Sequence, residues 1–221
     1  MVFTMGRVVT DLKIQNKNKN RTSVYLDGEF GFGVVNGLAS DLRVGQELSE
    51  IQIVELIKRD EFEVAYHRAD HFIGYRPRTA GEVSRKLQGL KYSEETVRGV
   101  IQKYTEQNIL DDEKFASQWV EERSISKPRG KKLLALELHQ KGVNQEIIQE
   151  ALTNIDNQGL ALKAAREFVQ KLILTDWNIF RQKVSSFLIR RGFEYSEISP
   201  IVEKVWEEKR NEKINVERGK I

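Results

Sequence analysis

The stretch Gly130-Lys131-Lys132-Leu133-Leu134-Ala135-Leu136-Glu137-Leu138-His139-Gln140-Lys141-Gly142-Val143 decides how the rest of the chain is read. Leu134 and Leu138 stand one helical turn apart, so they share a face. Gly142 suits the left-handed residue that ends a helix, and Val143 can then cover the last turn. A shift of about 51 residues places Val83, Leu87, Tyr92, Val97 and Ile101 on Leu134, Leu138, Val143, Ile148 and Leu152. A further shift of about 50 reaches Val184, Leu188, Phe193, Ile198 and Val202, and the break recurs as Arg191-Gly192-Phe193.

Each of these helix pairs follows another helical stripe. Ala65, Ala69 and Phe72 form the first, Phe115, Ala116, Trp119 and Val120 the second, and Ala161, Ala165, Phe168, Val169 and Leu172 the third. Asp111-Asp112-Glu113 precedes the second stripe, where acidic residues cap a helix and complement its positive end. Each unit therefore reads as three helices of about 10 to 15 residues, too small to bury its apolar faces alone. A mainly α fold follows: three tandem three-helix repeats in an elongated, curved array that shares a continuous core.

The first third differs. Arg7 to Ile14 is rich in β-branched and apolar residues, and Asn16 to Asn20 reads as a polar turn. Asp27-Gly28 then lies between two strand-like runs, the signature of a two-residue hairpin whose turn residues take positive φ. Such a loop pairs Tyr25 with Phe30 and Ser23 with Phe32, and puts Phe30, Phe32 and Val34 on one buried face. Gly28, Gly31 and Gly33 lack dinucleotide-loop spacing and sit within a strand pattern, so close approach by another element is expected over Gly31 and Gly33. Ser49 reads as the N-cap of a helix through Ile53, Leu56 and Ile57. The expected division is a small β-hairpin-containing domain over 1–60, repeats over 61–110 and 111–158, and a third repeat with a C-terminal tail over 159–221.

Composition narrows the function classes. The 221 residues contain no cysteine, which excludes disulfides, thiolate chemistry and cysteine-ligated zinc, and which suits a reducing compartment, by default the cytoplasm. No apolar run approaches the roughly 20 residues of a membrane span, and Met1 to Thr10 does not read as a secretory signal. Net charge is +3, with 13 basic and 9 acidic residues over 159–221, a local excess that would steer this part toward a polyanion.

The cations also recur. Arg76-Pro77-Arg78 aligns with Lys127-Pro128-Arg129, Lys131 with Arg181, and Lys141 with Arg191. Between Arg123 and Lys141 there are six basic residues against the single acid Glu137. Under a regular rotation these charges form a stripe matched to phosphates or to an acidic protein groove. The plainer reading is a set of solvated helix faces, with Pro77 and Pro128 punctuating loops. Charge reversal at Arg129 plus Lys131 is accordingly expected to weaken binding and leave thermal stability nearly unchanged. His67 and His71 share a helix face near Glu63 and Asp70, but Arg68 follows His67 where the zinc-protease pattern has its glutamate, so a partly exposed face is favoured and no metal or cofactor is expected. Trp119, Trp177 and Trp206 read as core anchors, and no aromatic interleaving suggests single-strand stacking.

Asp112-x-x-Phe115-Ala116-x-x-Trp119-x-x-x-Arg123, Gly130-x-x-x-Leu134-x-x-Glu137-Leu138-x-x-Lys141-Gly142-Val143 and Arg181-Gln182-Lys183-x-x-x-Phe187-Leu188-x-x-Arg191-Gly192-Phe193 together resemble the RecX family of bacterial RecA regulators, over about residues 60–206. The first repeat departs from the pattern, with Leu90-Lys91 where a Lys-Gly pair is expected, and the β-rich head is similar to longer members alone. The resemblance implies a non-enzymatic monomer that binds the RecA filament, in its groove or at its growing end, and inhibits ATP hydrolysis, strand exchange and coprotease activity. The proposed contacts to RecA or to DNA phosphates are Arg76, Arg78, Lys127, Arg129, Lys131, Lys132, Arg181, Lys183, Arg190 and Arg191. Two alternatives stand beside it: a DNA-binding protein acting without a recombinase, and a helical scaffold that holds its partner by apolar contacts.

Overall fold

The computed structural model describes residues 6–173 and 176–218. It divides into two compact units, Met1–Leu110 and Asp111–Ile221.

The first unit opens with an antiparallel sheet of β1 (Arg7–Ile14), β2 (Arg21–Leu26), β3 (Glu29–Val35) and β4 (Glu47–Leu48), in the order β3-β2-β1-β4, with the short α1 (Asn36–Ala39) between β3 and β4. Asp27 and Gly28 form the hairpin turn with φ of 53° and 86°, and Tyr25 pairs with Phe30 as the turn length requires. Beyond that pair the register departs from a regular ladder. Val24 faces Phe32 and Ser23 faces Gly33, because Gly31 is an extra residue in β3. The bulge shifts the alternation by one, so Phe32 and Val34 are buried while Phe30 is 60% exposed. A side chain at Gly31 would meet Leu26, and one at Gly33 would meet Gln15, the close approach expected there.

The helix α2 (Glu50–Ile73) starts in a capping box in which Ser49 and Gln52 satisfy each other's backbone N–H groups. It runs unbroken through position 60. Leu56 packs into the core of the sheet, whereas Ala65 and Ala69 belong to the next cluster of buried residues. Between them, buried Asp60 accepts from the Val35 N–H at 2.7 Å and from Arg21 Nη2 at 2.7 Å, which seats the helix on the sheet. With α3 (Ala80–Gly89) and α4 (Glu94–Glu106), the second half of α2 makes the first three-helix module.

The second unit holds α5 (Asp112–Ser126), α6 (Lys131–Lys141) and α7 (Gln145–Thr153), then α8 (Asn157–Val169), α9 (Trp177–Arg190) and α10 (Tyr195–Arg218). Asp111 caps α5 by accepting the Lys114 N–H at 2.8 Å. The repeated apolar positions are buried in all three modules, with Tyr92 and Ile101 partly so. The buried residues nevertheless fall into separate clusters, one for the sheet and one for each module, rather than the continuous core expected from repeat length. Gly142 and Gly192 end α6 and α9 with φ of 84° and 85°. The first module keeps the same ending without glycine. Lys91 takes φ 68°, and the Tyr92 N–H reaches the Leu87 carbonyl as Val143 reaches Leu138 and Phe193 reaches Leu188.

Candidate nucleic-acid and partner interface

The loop Arg76-Pro77-Arg78 converges on one carboxylate. Arg76 donates to Glu82 through Nη1 and Nη2 at 3.2 and 2.8 Å, and Arg78 Nη1 lies 3.9 Å from the same group. Glu82 is the third residue of α3 and closes a capping box with Thr79, so both arginines are tied to a helix start. Arg78 also stacks on Phe72 at 3.8 Å and donates to its carbonyl at 3.3 Å. Burial, and then the neighbouring Arg76 charge, pull its pKa below the ordinary arginine value.

The aligned Arg129 is also paired with a carboxylate, but with Glu137 in the middle of α6 and not with a residue that caps the helix start. Arg123 Nε stands 3.8 Å from the same carboxylate, buried and without a hydrogen-bond partner, and its guanidinium stacks 4.0 Å from the Trp119 ring. Trp119 Nε1 donates to Glu137 at 2.9 Å, and the Lys141 ammonium lies 4.3 Å from that ring. Arg191 reaches in from the end of α9, donating to the Pro128 carbonyl at 3.4 Å and standing 5.0 Å from Phe187. Burial comes first, and then the charges of Arg123 and Arg191, in lowering the Arg129 pKa. Arg123 and Arg129 thus share the Glu137 carboxylate, and Arg123 Nη1 also lies 3.9 Å from Glu122.

This cluster lies at a joint between modules. The Gly130 N–H donates to the Arg191 carbonyl at 2.8 Å, and a side chain at Gly130 would collide with the Gly192 carbonyl. Gly130 gives α6 no side-chain cap; the Lys131 N–H is taken instead by Asn157 Oδ1 at 2.9 Å. Asn157 in turn donates to both oxygens of Glu197 at 2.8 and 2.7 Å. Lys163 of α8 donates to the Ser124 and Ile125 carbonyls at the end of α5, where a cation complements the helix dipole. The second module therefore leaves helix-end groups to be satisfied by the third.

The expected contact residues separate into two groups. Arg76, Arg78, Arg129 and Arg191 are engaged in internal pairs or stacks. Lys127, Lys132, Lys183 and Arg190 are exposed, as is Arg181, which donates to Tyr195 Oη at 3.2 Å; Lys131 is half-buried. The structure brings Arg129 and Arg191 together. Sequence reasoning missed Arg123 and Glu137 as members of that site. The signal was present, since Glu137 is the lone acid in a basic run and Arg123 follows Trp119 by one helical turn. His67 and His71 line an open cleft of about 950 Å³ between α2 and the head, and His71 Nε2 is 3.1 Å from Tyr75 Oη. Among the described residues no group of three histidine, aspartate or glutamate side chains gathers as a metal site, and no helix is long and apolar enough to cross a membrane.

A small antiparallel sheet followed by three-helix modules, the second and third joined through helix ends, defines a helical-repeat protein. Three family models match in order: the regulatory protein RecX N-terminal domain over residues 7–49, the RecX first three-helix domain over 65–103, and the RecX second three-helix domain over 111–152. The chain belongs to the RecX family. It is 28% identical over 203 residues to regulatory protein RecX of Bacillus subtilis, covering 89% of this chain and 76% of that one. Against regulatory protein RecX of Clostridium acetobutylicum it is 29% identical over 209 residues, covering 90% and 97%. A crystal structure of regulatory protein RecX superposes with a TM-score of 0.65 at 26% identity, covering 89% of this chain and 99% of that one. RecX from Lactobacillus salivarius shares the fold with a TM-score of 0.59 at 23% identity, over 66% of this chain and 97% of that one.

Proposed function

We propose that this chain is a non-enzymatic cytoplasmic regulator that binds the RecA recombinase filament as a monomer and inhibits its ATPase, strand-exchange and coprotease activities. The observation that carries the reading is the ordered match of the head and two three-helix domains to RecX. The candidate site supports it chemically. Its members are cations, aromatic rings and carboxylates already held in pairs, a composition suited to holding anions.

In this reading the exposed Lys127, Lys132, Arg181, Lys183 and Arg190, with Lys131, contact DNA phosphates or acidic groups of the filament. Arg129 and Arg191 tie the α5–α6 loop that presents Lys127 to α6 and to the end of α9, and add charge to the field of the second unit. The test is the ATPase rate of RecA on single-stranded DNA, with and without this protein. Inhibition far below one molecule per recombinase supports capping of the growing end, and inhibition that needs full coverage supports binding along the groove. An unchanged rate, with no binding to the filament, contradicts the proposal. Binding to bare DNA with no effect on the filament would assign the protein to DNA alone.

A further inference from the structure

Among the described helices longer than one turn, α9 is the one without an aspartate or glutamate, and it carries Arg181, Lys183 and Arg190. Its buried side is Phe180, Val184 and Leu188. On the opposite side Asn178, Gln182 and Ser186 follow at intervals of four, so they form one row along the helix. Arg181 and Ser185 make the adjacent row on one flank, and Lys183 and Arg190 project on the other. Asn178 and Gln182 are exposed, and the two serines are half-buried. Asn178, Arg181, Gln182, Ser185, Ser186 and Tyr195 line a shallow concavity of about 380 Å³, in which the Arg181–Tyr195 hydrogen bond of 3.2 Å holds the guanidinium at the rim.

A ridge of carboxamides with cations on both flanks matches a duplex groove. Asparagine and glutamine pair bidentately with the edge of adenine, and arginine, lysine, serine and tyrosine hold phosphates on either side. A major groove about 12 Å wide admits one helix. An acidic protein surface would reward the cations, but its carboxylates could only accept from the carboxamide row and would leave the amide oxygens unpaired, whereas the adenine edge offers a donor and an acceptor together. Asp176 and Glu194 stand at the two ends of the helix, off the ridge.

We infer that α9 docks in the major groove of duplex DNA, with Asn178 and Gln182 toward base edges, Arg181, Ser185 and Tyr195 on one phosphate strand, and Lys183 and Arg190 on the other. This deepens the phosphate-contact part of the proposed function but does not depend on a recombinase.

The experiment is fluorescence anisotropy of the full chain with a labelled 20-base-pair duplex, the matching single strand and an enriched duplex selected from a random pool, with no RecA present. The wild-type chain should prefer duplex to single strand and the enriched duplex to random duplex. Lys183→Glu with Arg190→Glu should lower duplex affinity at least tenfold and flatten the salt dependence by about two phosphate contacts. Asn178→Ala with Gln182→Ala should reduce discrimination between enriched and random duplex about tenfold and leave the salt slope as it was. Circular dichroism and the melting temperature confirm that each variant is folded. Equal binding of single and double strands, no enrichment from the pool, or charge reversal without effect on duplex binding would overturn the inference. RecA inhibition that persists alongside such a result would leave the proposed function standing.

Discussion

The backbone N–H of Gly130 donates to the carbonyl of Arg191 at 2.8 Å, so the loop that opens α6 is hydrogen bonded to the residue that ends α9. The contact requires the two backbone segments to approach without side chains between them. A Cβ at Gly130 would meet the Gly192 backbone, and one at Gly192 would collide with Leu133. Gly130→Ala should therefore destabilise the second unit by about 1–3 kcal/mol through overpacking. Gly192→Ala should cost about 1 kcal/mol more, because its φ of 85° disfavours any side chain. Urea unfolding of the two variants checks the order.

Lys91 occupies the position that glycine holds in the other two modules, at φ 68°. Lys91→Gly should stabilise the chain by about 0.5–1 kcal/mol, the left-handed cost relieved less the greater freedom of the unfolded state. Gly142→Ala should destabilise by about 1 kcal/mol. Paired thermal melts measure both, and a destabilising Lys91→Gly would contradict the shared helix ending.

Glu137 offsets the repulsion among Arg123, Arg129 and Arg191 while accepting from Trp119. Glu137→Ala should cost about 2–4 kcal/mol, since it strands partly buried cations and an indole N–H. For the same reason charge reversal at Arg129 should lower stability, where its place in a basic run suggests none. The loss in Glu137→Ala should exceed that in Lys132→Ala, which is exposed, when both are unfolded in urea.

Tyr104 is fully buried, and its hydroxyl donates to the Tyr66 carbonyl at 3.2 Å and to Asp70 at 3.3 Å. Burial first, and then the Asp70 charge, push its ionisation well above the ordinary tyrosine value. The unfolded chain loses this proton near pH ~10 while the folded chain retains it, so the unfolded state binds fewer protons and stability falls as pH rises above that point. Tyr104→Phe should flatten the decline by about one proton, seen as a shallower drop in stability between pH 9 and 11.

What the sequence made legible was whatever is local or periodic. Helical spacing located the apolar face of each module, Ser49 and Asp111 marked helix starts, and Asp27-Gly28 marked the hairpin. The burial of Phe30 was misjudged because one extra residue at Gly31 reverses every side chain beyond it. Unit size predicts a shared core, yet each three-helix module buries its own cluster, and the second is joined to the third through helix ends. The site itself was half legible. Cation density can be counted along the chain, but Glu137 became its centre only through contacts that cross from α5 and the following loop to α6. The left-handed Lys91 left no compositional trace, because the backbone there is dictated by Tyr92 covering the last turn of α3.

Exposed cations of the α5–α6 loop, the first turn of α6 and α9 are proposed to engage the RecA filament. This is tested most directly by the salt dependence of binding to RecA assembled on single-stranded DNA, comparing the wild-type chain with Lys127→Glu/Lys132→Glu/Lys183→Glu. Affinity should fall at least tenfold, and the slope against the logarithm of salt should flatten, while the melting temperature stays within a few degrees. A folded variant that binds the filament as tightly as the wild-type chain, with the same slope, would contradict the account.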